Sequence, residues 1–115
     1  MNFQTDAPIV QKVYDFYKIL YLTIGKMPKR DKYTLGEKLS ITNLDLLEFI
    51  IGASYALRQD KINLLNKASI KLDLLKILIR VGHELKSINN KKYLTLEEKL
   101  QEIGKMLGGW IRSRK

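Results

Sequence analysis

Apolar side chains recur three and four residues apart in four successive stretches of this chain, and between them the pattern lapses into short polar breaks. A spacing of three and four puts every apolar side chain on one face of a helix, whereas strands need alternation by two. The first stretch holds Val13, Phe16, Tyr17, Leu20 and Ile24, and ends at Met27-Pro28, where the proline disfavours helix in the residue before it. The second holds Leu39, Leu46, Leu47, Ile50 and Leu57. Asn43 falls on that same stripe, so it is expected to be a buried polar residue in need of a partner. The third holds Leu74, Leu75, Leu78, Val81 and Leu85, and the fourth Leu96, Leu100, Ile103, Leu107, Trp110 and Ile111.

Helix-start signals sharpen the boundaries. Pro8 suits a first helical turn, where its missing N–H is not needed. Thr34-Leu35-Gly36-Glu37 and Thr95-Leu96-Glu97-Glu98 have the form of capping boxes. The sequence therefore predicts helices over roughly 6–26, 34–59, 67–87 and 95–112. Short connections favour antiparallel neighbours. The expected fold is all-α, an up-down-up-down antiparallel four-helix bundle formed by one domain spanning 1–115.

The third stretch has more apolar surface than one core contact needs. Ile70, Leu72, Ile77 and Ile79 widen its arc to roughly 200°. Either the helix has a second packing surface, for a partner or another copy, or its three neighbours bury it unusually deeply. Helical angle makes Leu72, Ile79 and Ile51 candidate contacts between copies. Leu44, Ile51 and Tyr55, with Glu48, form the back face of the second helix and are candidates of the same kind. Gly104, Gly108 and Gly109 lie inside the fourth helix, where each costs about 1 kcal/mol relative to alanine. They either allow close helix approach or mark fraying before the tail.

Little chemistry is available for catalysis. There is no cysteine, and His83, the single histidine, falls on a polar stripe. No paired Glu-x-x-His motifs, nucleophile elbow or phosphate-cradling glycine loop occurs. The expectation is a non-enzymatic protein without metal or cofactor. The N-terminus does not read as a signal peptide, and no apolar run approaches the ~20 residues of a membrane span. Together with the absence of cysteine, this predicts a cytoplasmic protein.

Charge is the positive clue. Lys plus Arg is 21 against 12 for Asp plus Glu, a net charge of +9. Such an excess attracts polyanions. Three clusters are candidate phosphate contacts: Lys26, Lys29, Arg30 and Lys32; Lys76 and Arg80; and Arg112, Arg114 and Lys115. These contacts give salt-sensitive affinity without sequence preference. Tyr14, Tyr17 and Tyr21, at spacings of three and four, read first as one packed helix face.

Met27-Pro28-Lys29-Arg30-Asp31-Lys32-Tyr33-Thr34-Leu35-Gly36, Leu72 to Arg80, Tyr93-Leu94 and Ile103-Gly104-Lys105-Met106-Leu107-Gly108-Gly109-Trp110-Ile111 resemble, in order, the accessory variability determinant (Avd) proteins of diversity-generating retroelements. The P-K-R-x-x-Y-T-L-G and I-G-K-M-L-G-G-W segments are the most distinctive. A related branch, encoded by intervening sequences in bacterial 23S ribosomal RNA genes, has an S-N-I-A-E-G-like segment in its second helix. Here Leu46 to Gly52 read L-L-E-F-I-I-G, which favours the Avd branch. The resemblance implies basic four-helix bundles that assemble as ring-like homopentamers. It also implies binding to a reverse transcriptase and to template RNA or cDNA, in support of mutagenic retrohoming. A protein-only adaptor of the intervening-sequence type is the alternative expectation.

Overall fold

The computed structural model describes residues 8–113. Four long helices, α1 (Pro8–Gly25), α3 (Glu37–Tyr55), α4 (Arg58–Glu84) and α5 (Asn90–Arg112), account for most of them, with no strand among the described residues. A one-turn helix α2 (Lys29–Asp31) and a π-helical turn (Lys32–Gly36) lead directly into α3. Each long helix packs on the next in the chain, and α1 also packs on α5, which closes the ring of a four-helix bundle.

Val13, Phe16 and Leu20 of α1, Leu39, Leu46 and Ile50 of α3, and Leu96, Leu100, Ile103 and Leu107 of α5 are buried in the core, much as their spacing predicts. Tyr17 is half-buried with its hydroxyl 3.0 Å from Ser40 Oγ, but Tyr21 is mostly exposed, so the tyrosine face packs only in part.

The boundaries differ from expectation, each for a local reason. Thr34 is not a cap. The backbone is already helical from Lys29, so Thr34 lies inside the helical run and its hydroxyl donates back to the Arg30 carbonyl at 2.9 Å. The expected end at 59 is also wrong. α3 stops at Tyr55, Ala56 and Leu57 are extended, and Leu57 is exposed rather than in the core. α4 then starts at Arg58, not 67. Gln59, Asp60, Asn63 and Asn66 are exposed, while Leu65 and Ala68 are buried, so the supposed polar break is an amphipathic helical stretch. α5 starts five residues before Thr95. Asn89 is its N-cap, accepting from the Lys92 N–H at 2.8 Å, and the Thr95 hydroxyl donates back to the Lys91 carbonyl. The expected start at 6 lies outside the described residues.

The rotational phase of α4 is the main correction. Its core face is Leu65, Ala68, Leu72, Leu75, Ile79 and Gly82, with Leu85 exposed. Leu72 and Ile79, proposed above as contacts between copies, are buried in the core of the monomer and offer no surface to another copy. An apolar arc that covers more than half the helix has no unique centre, so helical angle alone could not choose its inward side. The surplus apolar surface exists, but it consists of Ile70 and Ile77, which are largely exposed. The Lys71–Asp45 ion pair, at 3.0 Å, lies on the side of α4 that faces α3.

At the surface between α1 and α5, Lys12 Nζ lies 2.6 Å from Glu102 Oε1. The hydrogen bond to Glu102 raises the Lys12 pKa, and the same bond lowers that of Glu102. The support from Glu102 is therefore present above the usual carboxylate range and is lost as pH falls through its lowered value. That from Lys12 is lost only as pH rises through its raised value.

Asn43 is fully buried, as its stripe position predicts, but neither its amide nitrogen nor its amide oxygen has a hydrogen-bond partner among the described residues. An unpaired buried amide costs about 1–3 kcal/mol. Asn43→Leu, which keeps the branched heavy-atom skeleton and removes both unpaired polar atoms, is expected to stabilise the fold by about 1 kcal/mol in urea denaturation, the larger methyl groups offsetting part of the gain. Destabilisation of both Asn43→Leu and the smaller Asn43→Ala would show that the amide is paired.

Candidate nucleic-acid interface

Two chain reversals meet at one end of the bundle. The α1–α2 turn brings Lys26, Lys29, Arg30 and Lys32 there, and the α4–α5 turn adds Lys86, Lys91 and Lys92. Packing fixes the two turns together: a side-chain atom of Leu35 and the side chain of Ile88 both lie against Gly82, where an added Cβ would sit 2.7 Å from Ile88. Near the first turn, Gly36 is similarly close to Ile24, at 2.8 Å. Seven cations thus share this end with the carboxylates of Asp31, Glu37 and Glu84. Lys26, Lys29, Arg30, Lys86 and Lys91 are exposed, and Lys32 and Lys92 are half-buried. The exposed Arg30 reaches the largely buried Asp31 carboxylate only at 3.5 Å, a long contact for an ion pair.

The position of these cations is informative because local stability argues against several of them. Lys29 and Arg30 stand in the first turn of the helical run leading to α3, and Lys91 and Lys92 in the first turn of α5. Helix N-termini carry partial positive charge and favour carboxylates there. Lys86 has φ 63, in the left-handed region that glycine adopts most easily. It closes α4 in a Schellman-type turn, with the Ser87 N–H donating to the Gly82 carbonyl at 2.8 Å. Lys26 and Lys86 follow the C-termini of α1 and α4, where a cation is favoured. Beside these groups Tyr33, in the π-helical turn, exposes most of its ring. An exposed aromatic among cations is a surface on which an unpaired base can stack. Across the second turn, His83 stacks on Tyr93 with ring centroids 4.1 Å apart.

The other predicted cations lie along α4 and α5. Lys76 and Arg112, distant in sequence, line one open groove between these helices, together with Lys105. The groove has a volume of about 520 Å³, and Gly104, Gly108 and Asp73 are also on its walls. Arg80 is exposed one turn from Lys76, toward the cationic end, and does not line the groove. Arg114 and Lys115 lie outside the described residues. Lys86, Lys91, Lys92 and Lys105 were not among the sequence candidates, and only the packing places them with the rest.

Leu44, Ile51 and Tyr55 are exposed on one face of α3, with Ile41 beside them. Among the described residues no helix is long and apolar enough to cross a membrane, and no three potential metal ligands come together.

Comparison with known proteins bears directly on this arrangement. No match is found among curated proteins. A family model described as bAvd-like matches residues 8–114, which includes both cationic turns, the α4–α5 groove and the whole bundle. The chain belongs to the bAvd-like family.

Proposed function

We propose that this chain is a non-catalytic accessory protein of a diversity-generating retroelement, acting in the cytoplasm. It holds the reverse transcriptase and the template RNA or cDNA, and is required for mutagenic retrohoming. Family membership supports the accessory role. The observation that carries nucleic-acid binding is the gathering of Lys26, Lys29, Arg30, Lys32, Lys86, Lys91 and Lys92 at one end of the bundle, several of them where helix electrostatics disfavour cations. Such placement is compensated when a polyanion arrives. The exposed faces at Leu44, Ile51 and Tyr55 and at Ile70 and Ile77 suit protein contacts, either with further copies in a ring-like homopentamer or with the transcriptase.

The same apolar faces also favour the second reading, a protein-only adaptor whose charge merely solvates it. One experiment separates the two. Binding of a labelled single-stranded RNA or DNA is followed across a salt series, with the oligomer mass measured by light scattering on the same sample. Four phosphate contacts predict a loss of roughly fifty-fold in affinity between about 50 and 200 mM salt. A pentamer-sized species with that dependence is the expected result. A monomer or dimer that ignores nucleic acid at low salt would favour the adaptor.

A further inference from the structure

Glycines in this bundle fall into two kinds. An added Cβ at Gly36 would lie 2.8 Å from Ile24, and at Gly82 2.7 Å from Ile88, so close packing requires both. Gly104 and Gly108 differ. A Cβ at Gly104 would meet Lys76 Nζ at 3.5 Å and Leu72 Cδ2 at 3.6 Å, ordinary contact distances. At Gly108 it would meet only the Arg112 guanidinium, at 3.3 Å, the mobile end of a long side chain. Close approach of α4 to α5 therefore does not need these glycines. Nor do they mark fraying, because α5 runs unbroken past both to Arg112. Two residues unfavourable in a helix interior stand one turn apart on the wall of an open groove, with no structural reason for being glycine.

We propose that this groove seats the phosphodiester backbone of a nucleic-acid strand on a floor made by Gly104 and Gly108, held by Lys76, Lys105 and Arg112. This rests on the nucleic-acid binding proposed above and assigns it a second, shaped site. The missing side chains let the Lys76 ammonium and the Arg112 guanidinium sit low against α5, 3.5 and 3.3 Å from where a Cβ would stand, so a phosphate held by them lies deep in the groove. Among the described residues none of the three cations lies within ion-pair distance of a carboxylate, although Asp73 lines the same groove. They are therefore available to a phosphate anion. Arg80 stands one helical turn, about 5.4 Å, further along α4 toward the cationic end. A strand leaving the groove in that direction meets further positive charge, which suits a chain of phosphates better than a lone carboxylate.

The test is the double variant Gly104→Ala, Gly108→Ala, which leaves every charge in place. Fluorescence anisotropy of a labelled single-stranded RNA and its DNA counterpart gives affinity, poly-glutamate serves as a second probe, and thermal melting is run on the same samples. The expected result is a higher melting temperature, because alanine favours helix, with nucleic-acid affinity reduced about tenfold or more, as for the loss of one or two charge-assisted contacts. Wild-type affinity in the double variant would overturn the groove while leaving the cationic end in place. Unchanged nucleic-acid affinity with weakened poly-glutamate binding would give the groove to an acidic protein segment and overturn the phosphodiester assignment. A lowered melting temperature would show the glycines to be packing residues and overturn it too. Failure of the wild-type protein to bind nucleic acid at any salt would overturn both this site and the nucleic-acid reading beneath it.

Discussion

Replacing Lys29, Arg30, Lys91 and Lys92 together by glutamate is expected to lower nucleic-acid affinity by about three orders of magnitude near 0.1 M salt. The estimate follows from counterion release, which gives somewhat under one decade per phosphate contact at that ionic strength. Repulsion by the new carboxylates adds to it. The fold should not suffer. All four positions lie in first turns of helical runs, where the helix dipole favours an anion by about 0.3–1 kcal/mol each at low salt. Binding and stability should therefore move in opposite directions, a combination that general damage to the protein does not produce. Anisotropy titration and thermal melting on the same variant measure the two. Wild-type binding by a folded quadruple variant would remove the cationic end from the interface and leave the α4–α5 groove as the principal contact.

The second large effect concerns the fold. Ile79→Ala is expected to destabilise the protein by about 2–5 kcal/mol, while Ile77→Ala changes stability by about 0.5 kcal/mol or less. The two residues are neighbours on α4 and chemically identical. Ile79 is completely buried, whereas Ile77 is 60% exposed. Truncating the first leaves a cavity in the core as well as losing apolar transfer energy; truncating the second opens no cavity and loses little transfer energy. A loss of that size is a large share of the 5–15 kcal/mol typical of a small domain. Denaturant midpoints for the pair would check the rotational phase of α4 directly. Equal effects would mean that the helix is turned from the position described.

The candidate interface was only partly legible in the chain. Lys29 and Arg30 stand out because they cluster locally beside a proline break. Lys91 and Lys92 are an equally plain pair, yet nothing local connects them to the first cluster some sixty residues earlier. Lys76 and Arg112 were separate candidates in sequence and become one groove only when α4 and α5 pack side by side. The glycines of α5 were noticed for the helix propensity they lose. Which of them the packing requires depends on the distance to a neighbouring helix, which spacing along one strand of sequence does not contain.

What the sequence determined by itself is what depends on neighbours a few residues away. The period of three and four settles helix over strand, and the composition settles a large positive charge. The inward position of Phe16, Leu46 and Leu100 also follows from stripes narrow enough to have a single centre. Tertiary structure decided the rest. It chose Leu72 and Ile79 over Leu85 as the core of α4, because an arc apolar on more than half its circumference can be buried in several rotations and only the fit against α3 and α5 selects one. It carried the polar stretch after Leu57 into a helix, because Leu65 and Ala68 gain burial there that outweighs weak local preference. It also brought the two cationic turns to one end, because antiparallel packing of neighbouring helices returns the chain to the same place.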